Sequence, residues 1–245
     1  MPSTPLLAPD QSQPLSVDSV DTPVMVISPH YDDAVFSCGH LLAAMPGSTV
    51  VTVFTAVPPD ATVRTDWDLR CGFDNAEHAM RIRRNENQKA LGALDAKGVD
   101  LSFLDGQYLE SQRNSMDLLA DTLLSTILEF QPKSIFMPLG LFHADHLMVA
   151  DVTLLLQHRL MGLHWYAYAD IPYNKDAERA QQRLEELAGK GVHCEWCDLQ
   201  LDSQRKARAV DAYRSQFRGL GHADGLPILA HQEQYWRLHQ NPELL

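Results

Sequence analysis

The chain has 245 residues, 45% of them hydrophobic and 21% charged. That is enough for one α/β domain with a proper core, and it excludes a disordered chain. The formal net charge of −12 speaks against a nucleic-acid partner held by its phosphates and against an anionic membrane surface, though a small basic pocket remains compatible with it.

Residues 1–21 carry no basic leader and no sustained apolar stretch, so they make a poor signal peptide. Their Pro, Ser and Gln content reads as a flexible N-terminal arm ahead of a single domain over 22–245. No apolar run reaches the roughly 20 residues that span a bilayer, and the expected location is the cytoplasm. The β-branched run Pro23 to Ser28 predicts a buried strand, and Ser28-Pro29-His30-Tyr31-Asp32-Asp33 follows its end. Val35 to Met45 predicts a short helix stopped by Pro46-Gly47, and Thr49 to Thr55 a second buried strand. Pro58 to Phe73 reads as a long surface loop that carries Asp66-Trp67-Asp68-Leu69-Arg70.

Asn75 to Leu94 has the spacing of a long amphipathic helix, with Arg81, Arg83, Arg84, Glu86 and Lys89 on it. A third strand, Val99 to Leu104, runs into an Asp105-Gly106 turn. Met116 to Phe130 predicts a helix and Ser134 to Pro138 a fourth strand, after which comes His143-Ala144-Asp145-His146. Beyond it follow a helix over Leu147 to His158, a strand over Leu163 to Ala169 and a polar helix over Asp176 to Ala188. An edge strand over Val192 to Leu199 and a helix over Asp202 to Phe217 complete the series. Strands alternating with helices imply right-handed crossovers. The result is a Rossmann-like α/β fold with a mostly parallel sheet, helices on both faces and a single domain. The dinucleotide fingerprint and the P-loop are absent from the sequence.

In such a sheet ligands bind along the carboxyl ends of the strands, where the two polar segments would meet. Imidazole with carboxylate is a normal set for a catalytic zinc that keeps one position open for water. Neighbouring Asp32 and Asp33 project differently from a turn, so one can bind metal while the other takes a proton. The bland alternative is that this turn only caps the next helix. His143 and His146 share a face if a helix begins there, one to bind metal and the other to donate to an oxyanion, with Asp145 orienting the donor.

Cys194 and Cys197 have C-x-x-C spacing, but no second pair completes a zinc ribbon, and ordinary reduced thiols are expected. His40, His78, His158 and His164 lack a partner motif. The glycines around His222 predict a loop, with a lid over the metal edge as the alternative.

With these segments the chain resembles the PIG-L/LmbE-like zinc-dependent deacetylase family, over roughly Val24 to Gln216. The likeness includes Arg83-x-x-Glu86, the Asp105-Gly106 turn and Tyr213-Arg214-Ser215-Gln216. It departs at Tyr31, where the family usually has Pro, at Ala34, and at Leu141, where some members carry a tyrosine. The resemblance implies Zn2+ held by His30, Asp33 and His146, Asp32 as general base, and His143 as oxyanion stabiliser and proton donor with Asp145 behind it. It also implies Arg83 on a polar substrate group. Trp67 and Asp68 are expected on the pocket wall, with Trp67 stacked on a sugar face.

The implied reaction is removal of an N-acetyl group from an amino sugar or sugar-containing metabolite by metal-activated water. The expected partner is therefore a small N-acylated substrate, with no nucleic acid and no membrane, and a homo-oligomer is left open. An amidase for a larger N-acyl group in thiol or antibiotic metabolism is the first alternative. A non-catalytic binding protein and a redox protein using Cys194 and Cys197 follow.

Overall fold

The continuously apolar segment Val24–Ser28 forms β1, buried along its whole length near the middle of a seven-stranded sheet. A computed structural model describes residues 17–109, 114–199, 201 and 203–240. The other strands are β2 (Thr49–Phe54), β3 (Lys97–Phe103), β4 (Ser134–Pro138), β5 (His164–Tyr168), β6 (Val192–Cys197) and β7 (Tyr235–Gln240). Their order across the sheet is β3-β2-β1-β4-β5-β7-β6. Strands β3 to β5 in that order are mutually parallel, and β7 is antiparallel to both β5 and β6.

The helices are α1 (Asp33–Ala44), α2 (Asp66–Cys71), α3 (Ala76–Leu94), α4 (Met116–Phe130), α5 (Ala144–Arg159), α6 (Ala177–Gly189), α7 (Gln204–Val210), α8 (Arg214–Gly219) and α9 (Leu226–Leu229). Alternate side chains of each strand face opposite layers. Met25 and Ile27 join Leu119, Leu123, Val149 and Val152 from α4 and α5 in one core. Val24 and Val26 join Val35, Leu41, Leu91 and Val210 from α1, α3 and α7 in the other. This double covering explains why β1, β2 and β4 read as unbroken apolar runs.

From β1 the chain winds outward through β2 and β3, then returns to place β4 on the other side of β1. The β1/β4 boundary is therefore the topological switch point, where the loops leaving two adjacent strands diverge and open a crevice. Both polar segments leave the sheet there. Arg183 of α6, 2% exposed, donates from Nε to the Leu139 carbonyl at 3.0 Å and ties down the exit of β4.

Four expectations need correction. Residues 17–21 belong to the fold rather than to an arm: Val20 is in the core and Asp21 pairs with His164 at 2.8 Å. Residues 1–16 lie outside the described residues. The long loop after β2 contains α2, because Thr65 and Asp68 form a capping box that nucleates one and a half turns. The helix expected over Asp202 to Phe217 is two helices, broken at Tyr213 (ψ 53°), whose phenol donates to the Tyr31 carbonyl at 2.9 Å. Strand β7 had no counterpart in the sequence reading, although β6 is an edge as expected. Among the described residues, no helix is long and apolar enough to cross a membrane.

Candidate active site

The turn after β1 is built by Ser28, whose hydroxyl donates to the His30 carbonyl at 2.5 Å and accepts from the Ala34 amide at 3.0 Å. Asp33 opens α1, and its Oδ2 accepts from the His30 amide at 2.7 Å. Asp32 occupies the N-cap position but makes no capping hydrogen bond with its side chain. Its carboxylate lines the cavity instead, so helix capping does not account for the motif. Tyr31 points the other way and is buried, donating to Asp100 at 3.1 Å and accepting from Arg84 Nε at 3.1 Å. The aromatic ring that replaces the family's usual proline thus anchors the turn to α3 and β3.

The second segment starts α5 three residues earlier than its apolar pattern implies, because His143 itself is the N-cap: its Nδ1 accepts from the Asp145 amide at 3.2 Å. That bond leaves Nε2 to carry the proton of the neutral ring. Burial and the neighbouring His30 and His146 lower the His143 pKa, which favours that neutral N–H donor. The expected service of Asp145 to His143 is corrected. The Asp145 carboxylate lies 3.1 Å from His30 Nε2 and accepts from the Gly106 amide at 2.9 Å, while His143 Nδ1 is 3.7 Å away. Gly106 is required by this approach, since a Cβ there would stand 2.7 Å from Asp145 Oδ1.

His30, Asp33 and His146 converge, all buried, with candidate ligand atoms within 4.8 Å of one another. His30 Nδ1 is 3.1 Å and His146 Nε2 3.3 Å from Asp33 Oδ2. Ligand atoms on a tetrahedral zinc stand about 3.3 Å apart, so the donor set fits. The remaining nitrogen of each imidazole is held by a carboxylate: Asp145 on His30 Nε2, and Asp170 on His146 Nδ1 at 2.6 Å. Such outer carboxylates orient ligating histidines and fix their tautomers. A second group, His30, His143 and Asp145, shares His30 but includes the half-exposed His143.

Negative charge dominates this site. Burial disfavours charge on His30, but Asp105, Asp145 and Asp33 outweigh it and raise the imidazole to about 10. Burial is likewise outweighed at His146, which Asp33 and Asp170 raise well above its ordinary value. Asp33 is buried too, yet His146 and His30 hold its carboxyl well below the usual range. Asp32 goes the opposite way: burial and the adjacent Asp33 push it up to about 6. Adjacent carboxyls with pKa values driven apart suit one ligand and one proton acceptor.

The cavity above these residues measures about 350 Å3. Arg83 lines it, 3% exposed, held by Asp105 at 3.0 Å, and its Nε has no hydrogen-bond partner among the described residues. Trp67 forms part of the wall, with the Arg70 guanidinium 4.9 Å from its ring centroid. Asp68 is not brought to the cavity. It is fully buried, closes the capping box with Thr65 and accepts from the Tyr108 phenol at 3.0 Å. Of the glycine-rich segment after α8, Leu220 reaches the cavity and His222 does not. Cys194 and Cys197 are three apart on β6, hence on opposite faces of the sheet, and neither is in a disulfide.

Sequence reasoning missed Asp170 and Tyr173. Asp170 lies two residues beyond the end of β5, and a carboxylate at a strand's carboxyl end was the signal available. Besides His146 it holds the Gly140 and Leu141 amides, at 2.9 and 3.0 Å. Tyr173 lines the cavity and lies edge-on to His146, centroids 5.9 Å apart. Nothing in its local pattern marks it.

The model of the PIG-L family, described as GlcNAc-PI de-N-acetylase, matches residues 25–156 and spans both segments. Among solved structures, the antimicrobial reagent A40926 pseudoaglycone deacetylase is 26% identical, over 89% of this chain and 97% of its own, with a TM-score of 0.69. The zinc-inhibited form of teicoplanin deacetylase is 22% identical over 90% and 99%, with a TM-score of 0.73. A deacetylase–bog complex from the teicoplanin biosynthesis pathway is 24% identical over 90% and 99%, also with a TM-score of 0.73. The last two speak to fold alone. No curated protein matches the chain significantly.

Proposed function

The chain belongs to the PIG-L family of de-N-acetylases, and from that premise we propose that it removes an N-acetyl group from an amino sugar or sugar-containing metabolite with one bound zinc. One observation carries this reading: buried His30, Asp33 and His146 are spaced as a ligand set beside an Asp32 carboxylate that caps nothing and lines the cavity. When bound there, zinc supplies Lewis acidity, polarising the amide carbonyl and lowering the pKa of water.

The chain's own residues then divide the work. Asp32 accepts the proton that the attacking water loses. His143, its Nδ1 held by a backbone amide, presents Nε2–H to the oxygen that gains charge as the carbonyl becomes tetrahedral. The water oxygen becomes part of acetate, the C–N bond breaks, and the amine nitrogen takes up the proton held by the site. Asp145 and Asp170 act on His30 and His146 as positioning residues. Arg83, a cation on the cavity wall, meets a polar substituent, and Trp67 on the same wall meets the sugar. The four free thiols support a reducing, cytoplasmic setting.

The test is elemental analysis of wild type, His146→Ala and Asp32→Asn, with acetate release from N-acetylglucosamine-type substrates and a panel of longer N-acyl chains. About one metal per chain is expected, lost with His146 and kept in Asp32→Asn, whose turnover falls by about 10²–10⁴. A folded protein that takes up no metal from excess zinc overturns the reading. Hydrolysis confined to longer acyl groups replaces the acetyl with a larger one.

A further inference from the structure

A second cavity opens beside the carboxyl end of β6 and shares no lining residue with the active-site cavity. It measures about 660 Å3, well inside the range of small-molecule pockets. Its wall includes His231 and Glu233 from the segment between α9 and β7, Asp198 and Leu199 beyond β6, and Leu229 and Ala230 at the end of α9.

The hydrogen bonds around His231 fix its tautomer. The Asn174 amide nitrogen donates to the Gln232 carbonyl at 3.0 Å, so the Asn174 side-chain oxygen is the atom 2.5 Å from His231 Nδ1. Nδ1 must therefore carry the ring proton, and Nε2 presents a lone pair. Burial, Lys175, Lys206 and His222 lower this imidazole to about 4, so the ring is neutral near pH 7. Among the described residues nothing donates to Nε2. Glu233 holds a similar surplus. One of its oxygens accepts from Lys206 Nζ at 2.6 Å and from the His40 amide at 2.8 Å, and the other accepts from the Tyr235 phenol at 2.5 Å. A carboxylate accepts about four hydrogen bonds, which leaves one to spend, and Lys206 already meets its charge.

Both unspent sites are acceptors, and Asp198 adds a further carboxylate to the wall. A ligand must bring donors to them. A phosphate or carboxylate brings none. An ammonium group meets the same Lys175 and Lys206 that keep His231 uncharged. Hydroxyl groups on an uncharged ring satisfy both acceptors, and Leu199, Leu229 and Ala230 offer apolar surface to its C–H face. We propose that this cavity is a second saccharide site, which takes a neutral polyhydroxyl ring such as a hexose unit. It needs no turnover and stands apart from the deacetylation reading.

The experiment is a ligand-observed NMR titration of wild type, His231→Leu and Ala230→Leu with methyl β-glucoside, glucosamine and glucuronate. Neither residue lines the active-site cavity, so binding there is common to all three proteins and the differences isolate the second cavity. Ala230 is exposed, and leucine narrows the cavity from the surface, so the test survives a His231→Leu protein that fails to fold. Expected is an affinity for methyl glucoside weakened about three- to tenfold in His231→Leu, the worth of one hydrogen bond. Ala230→Leu should weaken it at least as much, and neither variant should change the binding of the two charged sugars. Equal binding of the glucoside to wild type and Ala230→Leu, or binding to neither, overturns the site. A preference for glucosamine or glucuronate that disappears in Ala230→Leu overturns the neutral ligand class.

Discussion

Asp32 and Asp33 are chemically identical neighbours, and the first turn of α1 separates them. Asp33 is the helix's first residue and turns back onto the His30 amide, whereas Asp32 faces the cavity. Asp145 and Asp170 show the same dependence on placement at longer range, each committed to the outer nitrogen of one imidazole. Asp170 is the more consequential, because it also pins the two amides that follow β4. Asp170→Asn preserves the shape but loses the charge that holds His146 in its ligating tautomer. A chelator-competition titration should show zinc affinity lowered about 10–100-fold, and wild-type affinity in that variant removes Asp170 from the role. The residues of the candidate metal set were legible as His and Asp after strands, whereas the partner of each imidazole was not.

Elements inserted between the regular strands and helices shape the substrate side. Helix α2 is short and stays in place through its contact with α8: the Arg218 guanidinium donates to the Cys71 carbonyl at 3.2 Å, and Gly219 lets the two helices touch. A Cβ on Gly219 would fall 2.5 Å from Cys71 Sγ and 2.9 Å from the Trp67 ring. Helix α8 is itself fixed to α3, since Ser215 donates from both its amide and its hydroxyl to Glu86, at 2.9 and 2.5 Å. Gly219→Ala should push Trp67 off the cavity wall, raising KM for an amino-sugar substrate several-fold with little change in kcat. Steady-state kinetics decides it, and an unaltered KM shows that Trp67 takes no part in binding. The capping box of α2 was present in the sequence as Thr65-x-x-Asp68, but Pro58 and the surrounding charges masked it. The break between α7 and α8 was invisible, because Tyr213 is set by a bond to Tyr31, 182 residues away.

Across the whole molecule, the reversal of winding between β1 and β4 brings the two segments together, and β7 seals the far side. The seam beside β7 holds a buried ion pair, Lys206 Nζ to Glu233 at 2.6 Å, with the lysine fully buried and the glutamate nearly so. The Tyr235 phenol and the His40 amide also donate to Glu233. Lys206→Met leaves that carboxylate buried without its cation and should cost about 3–5 kcal/mol, read from denaturant unfolding. The double variant Lys206→Met/Glu233→Leu should recover part of the loss. If the two single costs simply add, the pair is not coupled as the geometry implies.

Hydrophobic runs of β-branched residues, helical spacing and polar clusters at strand ends are signals local in sequence. From them alone follow the parallel sheet with helices on both faces, the meeting of His30, Asp33 and His146, and the nearness of Asp32 and His143. Those properties depend on few alternatives, because strand direction already dictates which loops share an edge. The tertiary structure decided what depends on distances between remote residues. It assigned Asp145 to His30 across 115 positions, took Asp68 into a helix cap, brought Asp170 and Tyr173 to the site, and placed β7 between β5 and β6. A side chain's neighbours follow from packing, and packing is a property of the folded chain rather than of any segment of it.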